Sequence, residues 1–171
     1  MTLNKNRYRQ KTIRLSDWDY SSPGYYFVTI CTKDKQCYFG EIISGIMRYS
    51  SIGKKTVSLW NQIPQHFSHI ELDEWIIMPN HIHGIIIFNE KIGSQGVTNQ
   101  FSKPIPGSLS VIINQFKASV TRWCNQNDFK NFSWQKSFYE HIIRSEKSLS
   151  SIREYIHNNP LKWDLDEYYY E

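Results

Sequence analysis

Two short strings carry the side chains best suited to chemistry. In the first, Met78-Pro79-Asn80-His81-Ile82-His83-Gly84, one residue separates two imidazoles. On a β-strand, positions i and i+2 face the same side, so His81 and His83 project together while Ile82 points away. Paired imidazoles can hold a divalent cation; the alternative is two strand-end histidines with ordinary hydrogen bonds. In the second string, Tyr155-Ile156-His157-Asn158-Asn159-Pro160, Tyr155 and Asn159 are four residues apart and share a helix face. Ile152 and Ile156 border that face, which predicts that it packs inward. Tyrosine offers a hydroxyl nucleophile, and an asparagine amide oxygen can ligate a hard cation. The structural alternative makes Tyr155 a core aromatic with its hydroxyl at the surface, and Asn159 a helix cap.

The elements that must hold these strings follow from pattern. Residues 25–32 are β-branched and aromatic after Pro23-Gly24, which predicts a first strand. Residues 39–43 and 46–49 form a hairpin through Ser44-Gly45. Residues 51–62 form a helix that Pro64 stops. Residues 70–78 and 81–88 are strands broken at Pro79-Asn80. Residues 89–107, rich in Gly, Ser, Asn, Gln and Pro, are expected to form a mobile loop. Leu109, Ile112, Ile113, Phe116, Val120 and Trp123 recur at three- and four-residue steps, predicting a helix over 108–125 capped by Ser108. A short strand over 138–144 and an amphipathic helix over 146–158, ending before Pro160, complete the order. That order predicts an α+β fold: a ferredoxin-like antiparallel sheet with helices packed on it.

Length and composition narrow the function. At 171 residues the chain is expected to be one domain over 1–171, able to bury roughly 70% of its unfolded surface without disulfides or a structural metal. Its 15% aromatic content excludes a disordered polyelectrolyte. The longest apolar runs, such as Ile85-Ile86-Ile87-Phe88, are too short to span a bilayer, and no secretory signal follows the first residues, so no membrane partner is expected. Cys31, Cys37 and Cys124 lack metal-type spacing and read as reduced thiols of a cytoplasmic protein. The net charge of +4 is unevenly placed. Lys5, Arg7, Arg9, Lys11 and Arg14 form a basic N-terminal arm (1–15) interleaved with Tyr8, suited to a phosphate backbone; its alternative is a solvated terminus. Residues 164–171 form an acidic tail.

Taken together, the two strings resemble the HUH single-strand DNA transposases with one catalytic tyrosine, most closely their REP-associated tyrosine transposase branch. The likeness extends to Tyr26-Phe27-Val28-Thr29, to Trp134-Gln135 with Phe138-Tyr139-Glu140-His141-Ile142-Ile143-Arg144, and to Lys162-Trp163. It implies an HUH nuclease fold, with His81 and His83 as metal ligands, Asn159 as a third ligand and Tyr155 as the catalytic nucleophile. It also matches the string with His141 and Arg144, which join the basic arm as nucleic-acid-binding candidates, His141 supporting the site and Arg144 contacting phosphate; the alternatives are a His141 that orients a helix and an Arg144 paired with Glu146. The implied cofactor is Mg²⁺ or Mn²⁺. The implied reaction cleaves and rejoins single-stranded or hairpin DNA through a 5′-phosphotyrosine intermediate. A monomer is expected, with a dimer as the alternative. Two rival readings stand beside this one: a non-catalytic holder of DNA or RNA hairpins derived from a transposase, and a metal phosphodiesterase that uses water. Because two imidazoles and an amide carry no negative charge, the ligand set also predicts weak metal binding until a phosphate completes the site.

Overall fold

The structure is a computed structural model that describes residues 22–89, 105–166, 168 and 169. The basic arm, with Arg7, Arg9, Lys11 and Arg14, and nearly all of the expected loop over 89–107 lie outside the described residues. The described residues hold six strands: β1 (Gly24–Cys31), β2 (Gly40–Ile43), β3 (Ile46–Tyr49), β4 (Ile70–Ile77), β5 (His81–Phe88) and β6 (Tyr139–Ile143). Four helices accompany them: α1 (Ser51–Asn61), α2 (Ile63–His66), α3 (Leu109–Gln126) and α4 (Glu146–Asn158). A 3₁₀ segment, Asn159–Leu165, continues from α4.

β4, β5, β1 and β6 lie side by side in that order, every pair antiparallel, while β2 and β3 form a separate hairpin. Ser44 and Gly45 at that hairpin's tip both have positive φ, the backbone a tight two-residue connection requires. With α1 between β1 and β4 and α3 between β5 and β6, the chain follows the β-α-β-β-α-β plan expected from the sequence.

Register assigns the two faces of the sheet. Tyr26, Val28, Ile30, Ile82, Ile86 and Ile142 point to one face and pack with Ile112, Ile113 and Phe116 of α3 and Trp60 of α1. Phe27, Ile85 and Ile143 point to the other, under Leu149 and Ile156 of α4. Alternation on β5 therefore sends Ile82 into the larger core and both histidines to the α4 face, as period two demands. Gly84 lies on the core face against Trp60. A Cβ there would sit 2.5 Å from the indole Cζ2, so only glycine lets α1 approach this closely.

Several local expectations change. Pro64 does not end the helical run; it occupies the first turn of α2, where its missing N–H costs no hydrogen bond. Ser108 takes the N-cap backbone conformation of α3, but its side chain makes no capping bond. Ser50 and Ser145 are the working caps, accepting from Gly53 N and Ser148 N respectively. β4 carries one extra residue relative to β5 between Leu72 and Trp75, a bulge that re-aims Asp73. None of the helices among the described residues is long and apolar enough to cross a membrane.

Candidate active site

The Met78-to-His81 turn is held by a short hydrogen bond from Met78 N to His81 O, 2.8 Å. Thr32 N and Thr32 Oγ1 donate to Asn80 O, and Phe39 N donates to Pro79 O, so the turn is pinned against the end of β1. From this fixed start, His81 and His83 stand side by side with ring centroids 4.4 Å apart, both fully buried.

Each imidazole is oriented through Nδ1. Asn80 Oδ1 lies 2.8 Å from His81 Nδ1, and Thr29 Oγ1 lies 2.9 Å from His83 Nδ1. An amide oxygen only accepts, so His81 carries its proton on Nδ1 and keeps a lone pair on Nε2. That Nε2 is buried and has no hydrogen-bond partner among the described residues. Burial pushes the His83 pKa down to about 3. Burial, together with His83 and Lys35, holds His81 well below the ordinary range. Both rings are therefore neutral at physiological pH, the form that binds a cation or accepts a proton.

α4 brings the second string over the pair. Its buried ridge runs through Leu149 and Ile156 to Asn159, which is 3% exposed. Tyr155 turns toward the sheet as expected of its face, but it lies at the rim of the buried ridge. It sits at the edge, 44% exposed, with its hydroxyl 3.1 Å from His83 Nε2. Phe27 stacks on His83 at 5.4 Å between centroids and meets the Tyr155 ring edge-on at 6.4 Å. Asn159, one helical turn beyond Tyr155, holds a buried Oδ1 with no partner among the described residues. His81, His83 and Tyr155 thus converge, and Asn159 continues the same helix. His141 lies in register with Phe27, exposed and on the same face. Arg144 is exposed just past the end of β6.

Three participants are given no role by the sequence motifs. Asp166, within the stretch read as an acidic tail, brings a carboxylate oxygen into a group with His81 and His83 whose ligand atoms all lie within 4.8 Å of one another. Tyr168 follows it: its N–H donates to Asp166 Oδ1, its carbonyl accepts from Asn80 Nδ2 at 2.7 Å, and its ring lies 4.6 Å from that of His81. Asn80 joins His81, the Tyr168 carbonyl and the Lys35 carbonyl, so Asp166 and Tyr168 are docked against the site. Thr29 is visible only once β1 and β5 are placed in register. The Trp134-Gln135 string, by contrast, is an anchor. Gln135 N donates to Cys31 O, Trp134 Nε1 to Lys117 O, and Lys117 Nζ to Gln135 O at 2.6 Å.

A divalent cation fits this donor set. His81 Nε2 and Asn159 Oδ1 are buried acceptors with no partner among the described residues, and the Asp166 carboxylate adds a negative charge the motifs did not supply.

No protein-family model matches the chain. An uncharacterized protein of Haemophilus influenzae is 39% identical over 173 residues, spanning 97% of this chain and 96% of that protein. A second protein of that organism, described as a "Putative REP-associated tyrosine transposase", is 25% identical over 151 residues, 84% of this chain and 74% of its own length. Among solved structures, a REP-associated tyrosine transposase bound to a REP hairpin superposes with a TM-score of 0.57 at 21% identity, covering 82% of this chain and 68% of that one. The chain belongs to one family with the uncharacterized Haemophilus protein, and its resemblance to the REP-associated tyrosine transposases holds in both sequence and fold.

Proposed function

We propose that this protein is a metal-dependent transposase that binds single-stranded hairpin DNA and cleaves and rejoins it through Tyr155. One observation carries the reading: the Tyr155 hydroxyl, 3.1 Å from His83 Nε2, faces a buried imidazole pair that has a carboxylate at its side. The hairpin bound by the solved relative supports hairpin DNA as the substrate form.

His81, His83 and Asp166, with Asn159 as the amide donor, would hold Mg²⁺ or Mn²⁺. The bound cation would polarise the scissile phosphate and align it for in-line displacement. Tyr155 Oη attacks phosphorus, the bond to the 3′-oxygen breaks, and that oxygen leaves as a 3′-hydroxyl after taking a proton. The protein keeps the 5′-phosphate as a tyrosyl ester. Attack by another 3′-hydroxyl reverses the step, releases Tyr155 and rejoins DNA without an external energy source. A tyrosine of pKa about 10 enters the reaction protonated. Without a cation the Tyr155 hydroxyl is held by His83 Nε2, the same lone pair that would ligate the cation, so ligation would free Tyr155 Oη for attack and its proton would pass to solvent.

The test is incubation with end-labelled single-stranded hairpin DNA and Mn²⁺, followed by denaturing electrophoresis and peptide mapping. A covalent adduct on Tyr155 supports the reading. Cleavage with no adduct, or normal cleavage by Tyr155→Phe, assigns the reaction to water. Hairpin binding with neither cleavage nor adduct assigns the protein to the non-catalytic class.

A further inference from the structure

A strand whose phosphate sits at Tyr155 must continue somewhere, and three directions are walled. The sheet closes the floor. On the β4 side α4 itself stands, tied down by Arg153, whose Nη2 and Nε lie 2.8 and 2.9 Å from Asp73 Oδ2. At the His81 end lie Trp163 and the ring of Tyr168. Of the directions left, one runs across β1 to β6.

Two residues of β6 are uncovered on that side. Tyr139 pairs in register with Thr29, which itself pairs with His83, so His83, Thr29 and Tyr139 form one row across three strands on one face. Two strand spacings separate the ends of the row, roughly 10 Å. Tyr139 is 42% exposed, and its ring meets Phe27 edge-on at 6.4 Å, as the ring of Tyr155 does from the other side. Its neighbours in sequence, Phe138 and Glu140, turn toward the larger core instead. β6 is the edge strand, so no further strand covers this shelf among the described residues. Exposed His141 occupies the next row and exposed Arg144 follows the strand end.

The geometry points to Tyr139 as a stacking platform for a nucleobase of the DNA strand, beside the phosphate that Tyr155 would attack. An aromatic ring is the side chain that binds a base without choosing its identity, because every base has a π-face. Phe27 fixes the Tyr139 ring from behind, so little side-chain freedom is lost on stacking. This subsite rests on the proposed reaction for its meaning, but its binding chemistry is measurable alone.

The experiment compares two probes on the intact protein without cleavage: an oligothymidylate, and an equally long strand of abasic sugar phosphates. The unmodified protein should prefer the strand with bases, and Tyr139→Leu should lose roughly five- to a hundredfold of affinity for it, the range for base–aromatic stacking. Affinity for the abasic strand should stay constant, and Tyr139→Phe should keep the full preference. Equal loss on both strands, or a preference unchanged in Tyr139→Leu, overturns the proposal. If the leucine variant does not fold, a parent protein with no preference for bases overturns it, and a preference lost in Tyr139→Thr supports it. Absence of a Tyr155 adduct in the separate hairpin assay overturns the proposed reaction and leaves this binding result standing.

Discussion

The Tyr155 hydroxyl and His83 Nε2 lie 3.1 Å apart, so a candidate nucleophile and a candidate cation compete for one imidazole lone pair. Thr29 holds the other nitrogen of the same ring, which leaves no second site for either partner. The arrangement fits a tyrosine parked on His83 until a cation takes that lone pair.

That competition makes Tyr155→Phe informative beyond loss of activity. The ring and its contact with Phe27 remain, so folding should be preserved. The variant should form no covalent adduct, yet bind Mn²⁺ at least as tightly as the parent, because the competing hydroxyl is gone. Calorimetry with Mn²⁺ alone measures this. A clear drop in affinity would mean that the hydroxyl is itself a ligand.

Asp166 alters the metal expectation drawn from the motifs. With a carboxylate in reach, cation binding need not wait for a DNA phosphate. Asp166→Asn keeps an acceptor for Tyr168 N–H but removes the charge. Outer-shell partners of metal sites typically contribute about 10–100-fold in affinity, and a direct ligand should contribute at least that much. Mn²⁺ affinity of Asp166→Asn in the absence of DNA is the measurement. Affinity within about threefold of the parent would return Asp166 to a purely structural role.

Residues related by local period were legible and residues related by long-range contact were not. The 3.6-residue repeat of α3 and the ridge of α4 appear directly in the order of apolar side chains, and period two alone puts His81 and His83 on one face. Thr29 became a partner of His83 only through strand register across 54 positions. Asp166 and Tyr168 sit in a run whose acids and tyrosines resemble a solvated tail; their docking depends on Asn80, 88 positions before Tyr168. Tyr155 turns its hydroxyl inward to His83 yet stays half-exposed, because helix periodicity locates a face only to within a residue's width and one step separates it from the buried Ile156.

Asn80 joins three segments and should behave accordingly. Asn80→Ala removes the acceptor for His81 Nδ1–H and the donor shared by the Lys35 and Tyr168 carbonyls. Leaving a buried polar group unpaired costs about 1–3 kcal/mol. The ring is also freed to change tautomer, so Mn²⁺ affinity should fall roughly 10–100-fold. Thermal melting and calorimetry on one preparation separate the two effects. A destabilised protein with unchanged metal affinity would exclude His81 as a ligand oriented by Asn80.

Gly84→Ala tests the core beneath the site. The added methyl meets Trp60 Cζ2 at 2.5 Å and Trp75 Cβ at 3.3 Å, and neither neighbour can swing clear within the core. Over-packing of this kind costs about 1–3 kcal/mol. Tm should fall by about 2–4 °C for each kcal/mol in a chain of this size. The strain is adjacent to His83, so cleavage at temperatures where the variant is fully folded should fall too. An alanine variant with parental Tm would show that α1 can withdraw freely.

The pair formed by Asp73 and Arg153 decides whether α4 is merely attached or aimed. Arg153 lies two residues before Tyr155, and its guanidinium reaches Asp73 with two nitrogens from a bulge that exists only in β4. Both residues are partly exposed, and such pairs contribute little to global stability. Their effect should instead appear where an ångström matters. Asp73→Asn should leave Tm and Mn²⁺ affinity close to parental while slowing adduct formation at saturating DNA. Misplacement by about 1 Å can cost up to about a hundredfold in rate, which sets the scale. The loss should fall on the rate at saturation and not on the DNA concentration that half-saturates it. The exchanged pair, Asp73→Arg with Arg153→Asp, should recover part of the rate that either single change removes. Single variants that cleave at the parental rate would show that the apolar ridge of Leu149 and Ile156 aims Tyr155 unaided.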